Sequence, residues 1–170
     1  LAQESRETRS ALRETYRQVY GSRQGESMLY TDLLFRISSI WFAEAASSRS
    51  PTWMYRFDYA SSLLRMQGIH AFHSTDLPFI FGTMKHVLIR PMFLLDRDMS
   101  EVYQVARSIQ EDIVTFARNQ TLPWRQCRGE DTPAKCYNSE VAVKPMVDPR
   151  IKQVYDQTKY KYRSFTSAFL

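Results

Sequence analysis

AFHSTDLPFIFG, residues 71–82, decides how this chain reads: the imidazole of His73 is followed by the turn formers Ser74, Thr75 and Asp76, then by a hydrophobic run that closes on Gly82. The segment before it, TWMYRFDY (52–59), alternates Trp53, Tyr55, Phe57 and Tyr59 with polar or flexible residues, the period-2 signature of a strand in a packed sheet. Together they place a proton-transfer group, His73, on a loop between a strand end and a short hydrophobic turn.

The two segments resemble the C-terminal part of type-B carboxylesterases, the bacterial para-nitrobenzyl-esterase branch of the α/β-hydrolases. In that family the catalytic histidine stands three residues before an acidic-Leu-x-aromatic run ending in Phe-Gly, and His73, Asp76, Leu77, Phe79, Phe81 and Gly82 fall on those positions. One position departs. The family has Gly directly after the histidine and this chain has Ser74, which predicts a local change of backbone. The resemblance runs from Thr31 to Trp124: TDLLFRISSIWFAEAAS (31–47) matches the helix before the strand, and 99–124 the long helix and Pro-Trp segment after it.

The resemblance implies an α/β fold, the C-terminal portion of an α/β-hydrolase that is helix-rich with a few strands of the sheet, with residues 1–170 as one C-terminal segment of a catalytic domain. It also implies what should stand upstream, a nucleophile in a Gly-x-Ser-x-Gly turn and then the catalytic acid. Neither is found, and the chain opens at Leu1 rather than at a methionine, so a piece of a longer protein is the expectation. The nearest imitation is Gly25-Glu26-Ser27-Met28-Leu29. A nucleophile elbow needs small residues on both sides of the serine, and Leu29 stands where the closing Gly belongs. With no strand before it, 21–27 reads as a polar connector and helix cap.

Composition agrees with a folded segment, since 170 residues with 44% hydrophobic and 14% aromatic content can bury a core. No apolar run approaches the roughly 18 residues of a membrane span, and the N-terminus lacks the apolar centre of a signal peptide. A signal on a longer precursor leaves export open beside the cytoplasm. The charge of +5 is partly concentrated in Arg6, Arg9, Arg13, Arg17 and Arg23. On a helix over 5–20 four of these arginines share a stripe opposite Leu12, Tyr16 and Val19, but Glu4, Glu7 and Glu14 dilute its field. A solvated face is therefore expected rather than a nucleic-acid surface.

Cys127 and Cys136 flank a polar, hairpin-like segment, 128–135, containing Gly129 and Pro133. That spacing permits a short disulfide in an oxidising compartment and leaves reduced thiols in the cytosol. It is poor zinc spacing, and His70 and His86 have no acidic partners at ligand spacing, so no metal or other cofactor is expected.

Further elements follow from pattern. A core helix over 31–46 puts Leu33, Leu34, Ile37, Ile40 and Trp41 on one face, with Asp32 at its positive end. Residues 87–95, interrupted by Pro91, fit an edge strand or an irregular packed segment equally well. Asp98 and Glu101 offer a capping-box-like start to a long helix carrying Val102, Val105, Ile109, Ile113 and Phe116, ended by Asn119. A short strand is read at 140–144, and a last helix from Asp148 and Pro149 to about Thr158.

The chemistry implied is hydrolysis of a small carboxylic ester by acyl transfer, His73 taking the proton of a serine hydroxyl and returning it to the departing alcohol. The parent would be a serine carboxylesterase and the chain alone inactive, its first partner being the N-terminal part of the same hydrolase. Two other classes stand beside it: a cholinesterase-like interaction module without catalysis, and a basic helical binding domain resting on the arginine stripe alone. An apolar face on the long helix also predicts self-association into a homo-oligomer.

Overall fold

Ser5 opens the first helix, α1 (Arg6–Tyr20), its hydroxyl accepting the Thr8 N–H at 3.1 Å, and Gly21 ends it at φ 78°, where a side chain would be strained. The structure, a computed structural model, describes residues 4–158 and divides into two units. Of the described residues, the first unit holds 4–52, 127–132 and 145–158, and the second 53–126 and 133–144.

In the first unit, α1 turns Leu12 and Tyr16 inward. Arg6, Arg9, Arg13 and Arg17 line a shallow hollow of about 390 Å³ with Ser10 and Glu14, so the stripe read from sequence is real. Its field is diluted by carboxylates: Glu14 pairs with Arg17 at 3.1 Å, and Glu26 stands 3.9 Å from Arg13.

Helices α2 (Gly25–Thr31) and α3 (Ile37–Ser47) are joined without a break by a π-helical turn, Asp32–Arg36. The helix expected from residue 31 therefore begins at Gly25, and Asp32 lies inside it rather than at its positive end. Asp32 is fully buried, accepting the Tyr16 hydroxyl at 2.7 Å and facing the Arg36 guanidinium at 3.0 Å. Burial, and then the Asp32 charge, push the Tyr16 hydroxyl far above the ordinary tyrosine range. The wider π turn also shifts the helical phase, which is why Leu34 is 65% exposed while Ile37, Ile40 and Trp41 are buried.

The last helix, α7 (Pro149–Asp156), starts as read, with the Asp148 carboxylate accepting the Arg150 N–H at 2.9 Å, and stops two residues short of Thr158. Tyr155 packs edge-on against Tyr16 and Trp41, the Trp41 indole N–H donates to Asp156 at 3.1 Å, and Lys152 bridges Glu44 and Asp156. Arg128 and Asp131 close a tight turn around Gly129 at φ 53°. Cys127 and Cys136 are both buried thiols, the reduced of the two states their spacing permitted. Burial pushes the Cys127 thiol up.

The second unit is built on a three-stranded sheet, β1 (Met54–Phe57), β2 (Pro133–Tyr137) and β3 (Ala142–Pro145), with β2 central. Strand β1 is shorter than the alternation suggested and runs parallel to β2, Tyr55 opposite Lys135 and Phe57 opposite Tyr137. Parallel strands need a crossover, which here contains α4 (Ser62–Met66), α5 (Leu77–Ile80), a 3₁₀ turn Arg90–Phe93 and α6 (Ser100–Asn119). The stretch 87–95 is thus irregular, not a strand.

Strand β2 was hidden inside the hairpin-like reading because its Pro suggests a turn; Pro at the first strand position costs no ladder bond that matters. Asp98 accepts the Ser100 N–H at 2.8 Å to start α6, but Glu101 accepts the Ser139 hydroxyl instead of closing a capping box. Val102, Val105, Ala106 and Ile109 join Tyr59, Phe79, Met84, Phe93 and Tyr137 in one core. The face expected to be adhesive is therefore mostly consumed within its own unit, and only Ile113 and Phe116 of it remain about two-fifths exposed. Among the described residues no helix is long and apolar enough to cross a membrane.

Candidate functional site

Between β1 and His73 the structure inserts α4, capped by the Ser61 hydroxyl at the Leu64 N–H, and then Gly68 at φ 70°. His73 is therefore not at the strand end, as expected, but on the exposed turn that leads into α5. His70 and His86 are exposed as well.

The turn is held from both sides. Thr75, buried beneath it, donates its hydroxyl to the Phe72 carbonyl at 2.7 Å and accepts the Phe72 N–H at 3.2 Å, while its own N–H reaches the same carbonyl at 3.1 Å. His73 and Ser74 are the two residues inside this clamp. Ser74 stands at φ 68°, the left-handed region that glycine favours, so the serine predicted to change the backbone adopts a conformation a glycine would hold without strain. On the far side, the Asp76 carboxylate accepts the Tyr55 hydroxyl from β1 at 2.9 Å. Burial, then the hydrogen bond to Asp76, push Tyr55 up to about 12.

The rest of the motif anchors α5. Phe79 is buried with ring centroids 4.8 Å from Phe57, 5.4 Å from Tyr59 and 5.8 Å from Phe93. Its carbonyl accepts the Gln110 side-chain amide of α6 at 2.6 Å. Gly82, at φ 66°, turns the chain beside the same amide, where an added Cβ would come within 3.5 Å of it. Phe81, by contrast, is 72% exposed.

Below β1 lies a charged network that residue patterns did not single out. The Asp112 carboxylate of α6 accepts both the Lys135 ammonium and, at 2.6 Å, the Tyr137 hydroxyl, and Lys135 lies 5.0 Å above the Trp124 ring. Burial, then the hydrogen bond to Asp112, drive the Tyr137 hydroxyl well above its ordinary range. Lys135 and Tyr137 are two apart on one strand and so share a face, the reason one carboxylate serves both.

Ser27 lies in the first turn of α2, exposed, with α1 rather than a strand before it. Gly25 is there for packing: a Cβ on it would meet the Tyr16 carbonyl oxygen at 3.0 Å. Neither feature makes a nucleophile elbow.

A model of the carboxylesterase family matches residues 2–163. The chain belongs to the carboxylesterase family. It is 28% identical over 127 residues to the para-nitrobenzyl esterase of Bacillus subtilis (strain 168), a match covering 72% of this chain and 25% of that protein. Among solved structures it is similar to a PNB esterase (TM-score 0.63, 26% identity, 86% of this chain and 32% of that one) and a thermophilic PNB esterase (TM-score 0.61, 26% identity, 88% and 33%). The chain thus spans a quarter to a third of these carboxylesterases, and its helices with their small sheet are part of an α/β-hydrolase fold.

Proposed function

We propose that this chain is the histidine-bearing part of a serine carboxylesterase and that His73 is its general base and acid. What supports the reading is the turn itself: His73 stands exposed and clamped by Thr75, followed by Asp76, Leu77, Phe79, Phe81 and Gly82 in the spacing of the resembling enzymes. In this role the imidazole takes the proton of a serine hydroxyl as it attacks the ester carbonyl, then donates it to the leaving alcohol. A carboxylate orients the second ring nitrogen and backbone amides hold the oxyanion. In this reading nucleophile, acid and oxyanion hole come from polypeptide outside these 170 residues, which cover a quarter of the curated relative. The substrates are small carboxylic esters, for which para-nitrobenzyl and para-nitrophenyl esters are suitable probes. General acid-base help is worth about 10²–10⁴-fold but needs a nucleophile to act upon, so the chain by itself is inactive.

The test is hydrolysis of para-nitrophenyl acetate. The purified chain is expected not to exceed free imidazole, whereas a polypeptide that also carries the upstream nucleophile hydrolyses the ester and loses that activity on His73→Ala. Activity of the chain that disappears with Ser27→Ala overturns the proposal. An upstream segment without a serine elbow would favour a non-catalytic interaction module instead.

A further inference from the structure

The Tyr55 side chain of the sheet reaches the histidine turn at Asp76, and it is itself braced. Its ring lies 5.9 Å from that of Tyr137 at 66°, an edge-on contact between diagonal neighbours on the same face of adjacent strands. Tyr137 is fixed in turn by its 2.6 Å hydrogen bond to Asp112 on α6. From there the path runs to the Tyr55 hydroxyl, which donates to Asp76 at 2.9 Å, three residues beyond His73. We infer that Tyr55 is a positioning residue for His73, acting through Asp76 to set the height and angle of the histidine turn over the sheet.

The need for such a tether follows from the local backbone. The turn carries a non-glycine residue in the left-handed region at Ser74, a conformation that persists only where neighbouring contacts over-determine it. Thr75 closes the turn on itself, but its bonds end on Phe72 and fix shape, not position. The Tyr55–Asp76 bond ties the turn directly to a rigid strand, beside the packing of Phe79 on Phe57 one turn further on. A general base must stand within hydrogen-bond reach of the proton it removes, and a misplacement of about 1 Å can cost on the order of 10²-fold in rate.

The inference rests on the proposed role of His73, and two measurements separate them. In this chain, amide hydrogen exchange across 72–77 is expected to quicken about ten-fold in Tyr55→Phe, with the α6 amides unchanged, the response of a local opening rather than global loss of stability. In an esterase polypeptide containing the chain, Tyr55→Phe should lower kcat between about ten- and a hundred-fold with KM within about two-fold. Asp76→Ala should do the same, the double variant should be no worse than either single one, and Asp76→Asn, which keeps a carbonyl acceptor for the phenol, should restore most of the rate. Unchanged exchange at 72–77, additive losses, or a loss confined to KM overturns the inference. His73→Ala is the separate control: if it leaves hydrolysis intact the catalytic reading fails, while the exchange result still decides whether Tyr55 holds the turn.

Discussion

A Cβ atom at Gly25 would stand 3.0 Å from the carbonyl oxygen of Tyr16 and 3.1 Å from its carbonyl carbon. Both are backbone atoms inside α1 and cannot step aside, so α2 approaches α1 closely only because residue 25 has no side chain. Gly25→Ala is expected to destabilise the chain by about 1–3 kcal/mol, the usual cost of overpacking. Ser27→Ala, two residues on and exposed, should stay within about 0.5 kcal/mol. Urea unfolding midpoints of the two variants check this, and an unmoved midpoint for Gly25→Ala contradicts the packing.

Ser74→Gly should act in the opposite direction. A side chain in the left-handed region costs about 1–2 kcal/mol, and glycine returns roughly 0.5–1 of that through its freedom in the unfolded chain. With Ser74 at φ 68°, the net expectation is a gain of up to about 1 kcal/mol. Ser74→Val, bulkier and β-branched, should lose stability. The ordering Gly above Ser above Val in denaturant midpoint is the readout, and Val equal to Gly would show that the turn does not hold this φ.

Much of this was legible because the signals are local. Asp148 caps its helix through its own carboxylate, and the three- and four-residue spacing from Val102 to Ile109 is enough to specify a buried face. Most of the misses come from contacts distant in sequence. Asp32 resembles a helix start until Tyr16 and Arg36 surround it, and its π turn then displaces Leu34 into solvent. Strand β2 carries a Pro and a Lys and is recognisable only once it pairs with β1, eighty residues earlier in register. The exposed turn that carries His73 was legible from its motif, whereas the Tyr55–Asp76 hydrogen bond and the clamp by Thr75 depend on how the chain folds back on itself.

Asp112 is expected to be the most sensitive polar position of the second unit. Removing it leaves the Lys135 ammonium, 17% exposed, and the Tyr137 hydroxyl without the carboxylate they share. Asp112→Ala should cost about 3–5 kcal/mol, as loss of one partner of a buried pair does. Lys135→Met removes the other charge while keeping an apolar stem over Trp124, and should cost less. Combining Lys135→Met with Asp112→Leu should recover part of the single Asp112 loss. Equal midpoints for Asp112→Ala and the wild-type chain would contradict a buried, paired carboxylate.

Stability should fall on the alkaline side, and tyrosines set the window. Burial is the first cause that raises Tyr16, Tyr55, Tyr59 and Tyr137; Tyr55 and Tyr59 are pushed up to about 12, and the other two higher. In the unfolded chain a tyrosine titrates near pH 10. Below about pH 10 both states keep the proton and the contribution is fully present. Above it the unfolded chain releases protons that the folded chain retains, so stability declines with each further step of pH towards 12. Lysine and cysteine titrations overlap this range, so the decisive measurement is a difference: denaturant midpoints of wild type and Tyr59→Phe followed from about pH 9 to 11.5. Tyr59→Phe removes one raised group whose hydroxyl is held protonated by burial and by the nearby Asp96 and Glu101 charges, so its midpoint should fall less steeply than that of wild type. Parallel curves for the two proteins would mean that Tyr59 ionises as readily folded as unfolded.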